Sequence, residues 1–331
     1  MSVVVPLFNK EQGVARAVGS VLAQTFRDFE LVVVNDGSTD GGPDLVRAFR
    51  DERVRVISQS NRGVSAARNL GIQESRADLV AFLDADDEWR PDFLETVLGL
   101  RDSFTSCEIF VTNYFYRDTN GGYHRPIIRG LPRDQRTGIL RDYFGVAAVS
   151  DPPLWSSGVA VIKEAIVAVG MFPVDVSVGE DLLTWARLAL RCEIAYCSEP
   201  KATFFLRGPL AGTPTRAPED DDIVGRALEA LLSSVKPEEL AAFREYVGLW
   251  YRMRATVYLR LGLVRKARRE IAKMGQHSRR RFLTAGLWLC AVAPAPLSRV
   301  LVQFSDALRR IRRWVREQHA QSRSRVVAGA S

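Results

Sequence analysis

The chain has 331 residues, 47% hydrophobic and 26% charged, and carries a net charge of +7. That balance excludes a collagenous, disulfide-scaffold or wholly disordered chain, and the length suits one large or two smaller domains. The four cysteines, Cys107, Cys192, Cys197 and Cys290, have no metal-site spacing and suit a reducing compartment.

Met1 leads straight into a strand-like run, not into a basic and then apolar leader, so secretion by a cleaved signal is not expected. The first hundred residues then alternate strand and helix signals. "SVVVPLF" is a β-branched strand, and residues 11 to about 25 place Val14, Val18, Val21 and Leu22 on one helical face. "FELVVVNDGS" reads as a second strand and "DGGPDLVRAFRD" as a helix with Pro43 near its first turn. "VRVISQS", "GVSAARNLGIQES" and "DLVAFLD" continue as strand, helix and strand. This order predicts an α/β fold with a mostly parallel sheet covered on both faces. Ligands of such sheets bind beyond the C-terminal strand ends. The turns at Phe8-Asn9, Asp36-Gly37-Ser38, Ser60-Asn61-Arg62 and Asp84 to Asp87 converge there.

The fourth strand discharges Asp84, Asp86, Asp87 and Glu88 almost together. Like charges this close repel and raise one another's pKa, so a metal ion, a basic side chain or solvent must answer them. Asp87 is the expected cap of the "RPDFLETVLGL" helix, with Glu88 in its first turn.

Between 100 and 210, "CEIFVTNYFYRD" reads as a strand, "GGYHRP" as a turn, and "SSGVAVIKEAIVAVG" as a strand running into a helix. "VGEDLLTWARLALRC" is a helix opened by Glu180 and Asp181, and "ATFFLRG" a strand. "PLAGTPTRAPEDDD" is a linker. Beyond it the chain is helical and basic. From Lys236 onward 21 lysines and arginines face 6 acidic residues, so the preceding part is net acidic. The uncharged stretch Phe282 to Ser298 carries Pro294 and Pro296 and is short for a membrane span. Flanked by Arg279 to Arg281 and by Arg309, Arg310, Arg312 and Arg313, it suits an anionic membrane surface. No nucleic-acid module is recognisable, so nucleic acid is not expected as a partner. The reading divides the chain into a domain over 1–210, a linker and helix start over 211–235, a basic helical region over 236–318, and a disordered tail over 319–331.

No Gly-x-Gly-x-x-Gly follows the first strand and no phosphate-binding loop with Gly-Lys-Ser/Thr is present. His124, His277 and His319 form no cluster in sequence. The run from "SVVVPLFNKEQG" through "VVVNDGSTDGG" to "NRGVSAARNLGIQ" and "VAFLDADDEWRPDFL" instead resembles glycosyltransferase family 2, the inverting transferases of the GT-A fold. The resemblance is detailed over about residues 1–100 and reaches weakly to 210.

It implies a nucleotide-diphosphate sugar donor, by default uridine-linked, and a glycan or lipid-linked acceptor. Asp84-Ala85-Asp86 matches the Asp-X-Asp element, which implies Mn2+ or Mg2+ with Asp86 as ligand and Asp84 nearer the ribose; hard cations of this kind take oxygen ligands. Asp36 is implied as acceptor for the donor base and Phe8, with Pro6 and Asn9 beside it, as the stacking element. Arg62, Gly63 and Arg68 are implied to line the nucleotide pocket. Glu180-Asp181 matches the family's acidic pair, with Asp181 the general base and Glu180 orienting it or the acceptor; helix capping is the competing reading. The Gln-x-x-Arg-Trp element of processive synthases is absent, so one sugar per encounter is expected. The expected setting is cytoplasmic, on the inner membrane face. The alternative is a non-catalytic GT-A-like module that binds anionic membrane or nucleic acid through its basic end.

Overall fold

The computed structural model describes residues 1–130, 136–206 and 216–293. In chain order the first half holds β1 (Ser2–Leu7), α1 (Glu11–Leu22), β2 (Glu30–Asp36), α2 (Gly42–Arg47), β3 (Val54–Gln59), α3 (Val64–Glu74) and β4 (Leu79–Phe82). There follow β5 (Glu88–Trp89), α4 (Phe93–Ser103), β6 (Cys107–Arg117), β7 (Tyr123–His124), β8 (Thr137–Ile139) and α5 (Tyr143–Val149). Then come β9 (Val159–Ile162), α6 (Lys163–Ala168), α7 (Glu180–Ala189), β10 (Glu193–Phe205), α8 (Ile223–Leu231), α9 (Leu240–Arg260), α10 (Val264–His277) and α11 (Arg281–Val292).

The expected α/β architecture is present as one ten-stranded mixed sheet, ordered β3-β2-β1-β4-β9-β6-β10-β5 along its main path. Its N-terminal half is wholly parallel, β1 pairing with both β2 and β4, and β2 with β3. The second half is mixed, because β9 runs antiparallel to β4 and β6 while β10 lies parallel to β6. Val3, Val5 and Leu7 pack with Val14 and Val18 of α1 and with Phe93 and Val97 of α4. Val32 and Val34 turn to the opposite face, against Ala67 of α3. Both faces are therefore covered, which is why the strand sequences are unbroken valine runs and do not alternate.

Three boundaries differ from the sequence reading. Helix α1 stops at Leu22, and Gln24, fully buried, donates to the carbonyls of Ser20 (3.0 Å) and Arg90 (2.7 Å) while accepting from Leu94 N–H (2.9 Å). A tertiary network thus takes over where helical periodicity would have continued. The "GGYHRP" turn includes a short strand paired to β6. The strand expected at "ATFFLRG" begins at Glu193, running through a register irregularity around Pro200.

The chain forms two compact units, Met1–Pro209 with Asp222–Tyr246, and Leu210–Asp221 with Val247–Ser331. In the second, Tyr258, Leu259, Ala267, Ile271 and Ala291 make a small core. Arg254 Nε lies 3.2 Å from Glu270 Oε2, both buried. No helix among the described residues is long and apolar enough to cross a membrane. Pro294, Pro296, the arginines from 309 to 313 and the tail over 319–331 lie outside the described residues.

Candidate active site

The carboxylate turn after β4 is held from two sides. Leu83 N–H donates to Val4 O (3.1 Å), Asp84 N–H to Ser157 Oγ (3.1 Å), and Asp87 N–H back to Asp84 O (3.0 Å). Asp87 is fully buried and accepts from Ser157 Oγ (2.5 Å), Trp155 Nε1 (3.4 Å) and Phe205 N–H (3.4 Å). Burial, then repulsion from Asp84 and Asp86, pushes its carboxyl well above the usual range. The expectation that Asp87 caps a helix is therefore corrected. Helix α4 starts after Asp92, which pairs with Lys201 and makes no side-chain cap, and Glu88 lies in β5. Asp87 is the internal anchor of the turn.

Helix α1 supplies the other side. A Cβ at Gly13 would sit 2.8 Å from Ala85 O and 2.8 Å from Asp86 Cα, so only glycine lets the helix and the turn approach this closely. Arg16 donates to Asp86 O (2.5 Å) with its guanidinium 3.6 Å from the Phe205 ring centroid. Gly13→Ala is expected to destabilise the fold by about 1–3 kcal/mol through overpacking. It should also displace Asp86. Urea unfolding checks this; unchanged stability would contradict the close approach.

The positive charges that the turn demands come from the chain. Lys10 Nζ lies 2.5 Å from Asp86 Oδ2, and Arg68 Nη2 2.7 Å from Asp84 Oδ1. Arg68, only 3% exposed, also reaches Glu180 Oε1 at 3.1 Å. Burial opposes the charge on Arg68, but the carboxylates of Asp84 and Glu180 outweigh it and keep the guanidinium protonated.

Helix α7 opens after Gly179, whose φ of 88° is left-handed. Asp181 Oδ1 accepts from Leu182 N–H (2.7 Å). Tyr246, bonded to Tyr143 (3.1 Å), donates to Leu182 O (2.8 Å) and fixes this first turn. Burial raises the Asp181 carboxyl, partly offset by Arg68; burial and the neighbouring Asp181 raise Glu180.

At the other end, Asp36 is 2% exposed and accepts from Gln59 Nε2 (2.7 Å), Arg62 N–H (2.9 Å) and Gly63 N–H (2.8 Å). Its carboxylate shapes the 61–63 loop, where Gly63 takes a φ of 88°.

A cleft of about 510 Å³ gathers Pro6, Phe8, Asp36, Gly63, Arg68, Asp84, Asp86 and Glu180, with Lys10 added; its size is that of a small-molecule site. Phe8 is exposed there, a poor use of a core residue. Asn9, Arg62 and Asp181 do not line it. Asn9, with φ at 49°, accepts from Thr39 N–H (2.8 Å) and braces the 38–40 loop. Arg62 contributes its backbone N–H to Asp36, and its side chain is exposed. Asp181 is the immediate neighbour of the lining residue Glu180. Asn69 does not line the cleft either; its amide exchanges hydrogen bonds with the Phe172 backbone (2.8 and 2.9 Å). Sequence reading missed Lys10, Gly13 and Ser157. The one available signal was a glycine inside a helical register at Gly13.

Among the described residues no group of three or more His, Cys, Asp and Glu is placed to hold a metal. Two cleft-lining carboxylates still fit Mg2+ or Mn2+, which commonly takes one or two protein oxygens and completes its shell with water and substrate phosphate.

Residues 2–153 match the family described as glycosyl transferase family 2. Glycosyltransferase GlyA of Streptococcus pneumoniae is 34% identical over 131 residues, covering 39% of this chain and 19% of that protein. The putative glycosyltransferase EpsH of Bacillus subtilis is 35% identical over 116 residues, covering 34% and 33%. The chain thus spans a third or less of the length of these relatives. Among solved structures, S. aureus TarS 1–349 in complex with UDP-GlcNAc aligns with a TM-score of 0.64 at 18% identity, covering 92% of this chain and 91% of that one. That likeness is one of fold. The order of motifs along the parallel half-sheet, the GT-A fold shared with that structure and the family match agree over residues 2–153, the stretch of this chain that matches glycosyl transferase family 2.

Proposed function

We propose that the protein is a metal-dependent, inverting, non-processive glycosyltransferase. It would move one sugar from a nucleotide-diphosphate sugar to a hydroxyl of a glycan or lipid-linked saccharide, as in cell-envelope polysaccharide or lipopolysaccharide assembly. The observation that carries this reading is the single cleft that places an exposed aromatic ring, a buried Asp36, the Asp84/Asp86 pair and Glu180 together. Phe8 stacks on the base, and Asp36, while holding Gly63 N–H, accepts from a base N–H. Asp86 and Asp84 would hold Mn2+ or Mg2+, which when bound supplies charge that stabilises the departing diphosphate. Asp181 takes the proton of the acceptor hydroxyl as that oxygen bonds to the anomeric carbon and the bond from that carbon to the diphosphate breaks. Glu180 orients the acceptor. Uridine is the favoured base, and the UDP-GlcNAc complex of TarS supports it. Nucleotide release from a panel of nucleotide sugars with Mn2+ is the test. Release from one donor, accelerated by a glycan acceptor, is expected; a panel without any turnover contradicts the reading.

The exposed apolar face of α11 supports a membrane setting. Phe282 is 95% exposed, Leu289 72% and Val292 68%, and their spacing puts them on one helical face. Arg279, Arg280 and Arg281 precede them. This is the pattern of an interfacial helix on an anionic leaflet, each arginine adding about 1 kcal/mol near the surface. Peripheral attachment on the cytoplasmic face would concentrate the enzyme where lipid-linked acceptors reside. Full-length protein should float with phosphatidylserine-containing liposomes, and Phe282→Glu with Leu289→Glu should not. Equal flotation of the two removes the membrane setting and leaves the transferase reading intact.

A further inference from the structure

We propose that Arg68 is a positioning residue that locks the donor-side carboxylate Asp84 to the acceptor-side carboxylate Glu180, so that the two ends of the cleft respond together; this rests on the transferase reading above. One planar guanidinium spans both. Nη2 meets Asp84 Oδ1 at 2.7 Å and Nη1 meets Glu180 Oε1 at 3.1 Å, joining residues 16 and 112 positions away. A rigid fork fixes the distance between two groups in a way that a lysine, a single flexible point charge, does not. The guanidinium also lies 5.1 Å from the Phe172 ring centroid. The adjacent Asn69 clamps the Phe172 backbone (2.8 and 2.9 Å), so two successive side chains of α3 grip the segment that leads into α7.

As a stability device the arrangement is poor. Buried ion pairs give little net stability and are often matched by apolar replacements, and Arg68 Nε finds no hydrogen-bond partner although it is buried. What the arginine supplies is geometry: two carboxylates that would repel are held at a set spacing, both on the cleft wall. A ligand that draws on Asp84 therefore changes the grip of the same fork on Glu180. Lys10, which also lines the cleft, pairs with Asp86 as a single point charge and lacks the fork that makes such a bridge rigid.

A double-mutant cycle on the full chain tests this. The readout is the affinity, by calorimetry with Mn2+, for whichever of UDP, GDP and dTDP binds the wild type. With Arg68 present, Asp84→Asn and Glu180→Gln are expected to be non-additive by about fivefold or more. In an Arg68→Met background the same pair should be additive within about twofold. If Arg68→Met does not fold, Arg68→Lys, which keeps the charge but cannot span both carboxylates, is expected to lose the coupling in the same way. A merely structural arginine would lower the melting temperature and leave the cycle unchanged. Coupling that persists without Arg68, or additivity with it, overturns the inference alone. Failure of the wild type to bind any of the three nucleotides overturns the donor-site reading and the inference with it.

Discussion

Asp181→Asn is expected to lower the transfer rate by about 10²–10⁴-fold, the usual worth of a general base, while nucleotide affinity stays close to wild type. The substitution keeps the shape of the side chain and its position at the start of α7, and Asp181 does not line the donor cleft. Only the capacity to accept a proton is lost. Burial raises the Asp181 carboxyl above its ordinary value of 3.8, and Arg68 only partly offsets this. A raised carboxyl is a stronger base, and it loses that role as pH falls through its raised pKa. The acid limb of the wild-type rate profile should accordingly lie above that of an ordinary aspartate. The same shift affects stability with a definite sign. Between the unfolded and the raised folded pKa the native state holds the extra proton, so its stability falls as pH rises through that window. At neutral pH the asparagine variant should therefore melt no lower than wild type. Rate, affinity and melting measured together separate the roles. Undiminished transfer by Asp181→Asn would remove the base assignment.

Asp86→Ala is expected to abolish the part of nucleotide binding that depends on Mn2+. A hard cation needs anionic oxygen, and Asp84 is committed to the buried Arg68 fork while Asp86 pairs with the less buried Lys10. The loss should be about 100-fold or more in metal-dependent affinity, in line with the several kcal/mol that a metal supplies. Without Asp86, the Lys10 ammonium is released toward the diphosphate, so metal-free affinity should hold or rise. Titration of nucleotide with and without Mn2+ reads both terms. Equal Mn2+ enhancement in the variant and wild type would place the cation elsewhere.

The convergence of the candidate residues was legible because parallel-sheet topology brings strand C-termini to one edge. Phe8, Asp36 and Asp84 each follow a valine-rich or apolar run, and chain order alone predicts their convergence. What was illegible depends on partners distant in sequence. Asp87 looked like a helix cap because a helix follows, but its anchors, Trp155 and Ser157, lie about seventy residues on. Lys10 meets Asp86 across 76 positions, and nothing in "NKEQ" announces that contact. Arg68 was expected only as a pocket-lining arginine, and nothing near it in sequence announces its burial, which comes with the packing of α3 against the segment before α7. The strand read at "ATFFLRG" extends back to Glu193, because β10 carries an irregular register around Pro200, which a strand tolerates at a bulge.

The most direct measurement is thermal unfolding of the full chain with UDP, GDP or dTDP, each with and without Mn2+, for wild type and Asp86→Ala. A ligand that binds only the folded state at about a hundredfold excess over its dissociation constant adds about 2.7 kcal/mol, enough to move the midpoint by several degrees. One nucleotide, with UDP favoured, should raise the wild-type midpoint in the presence of Mn2+, and Asp86→Ala should lose the manganese-dependent part of that rise. A wild-type midpoint indifferent to all three nucleotides, with metal present, would contradict a nucleotide-sugar transferase.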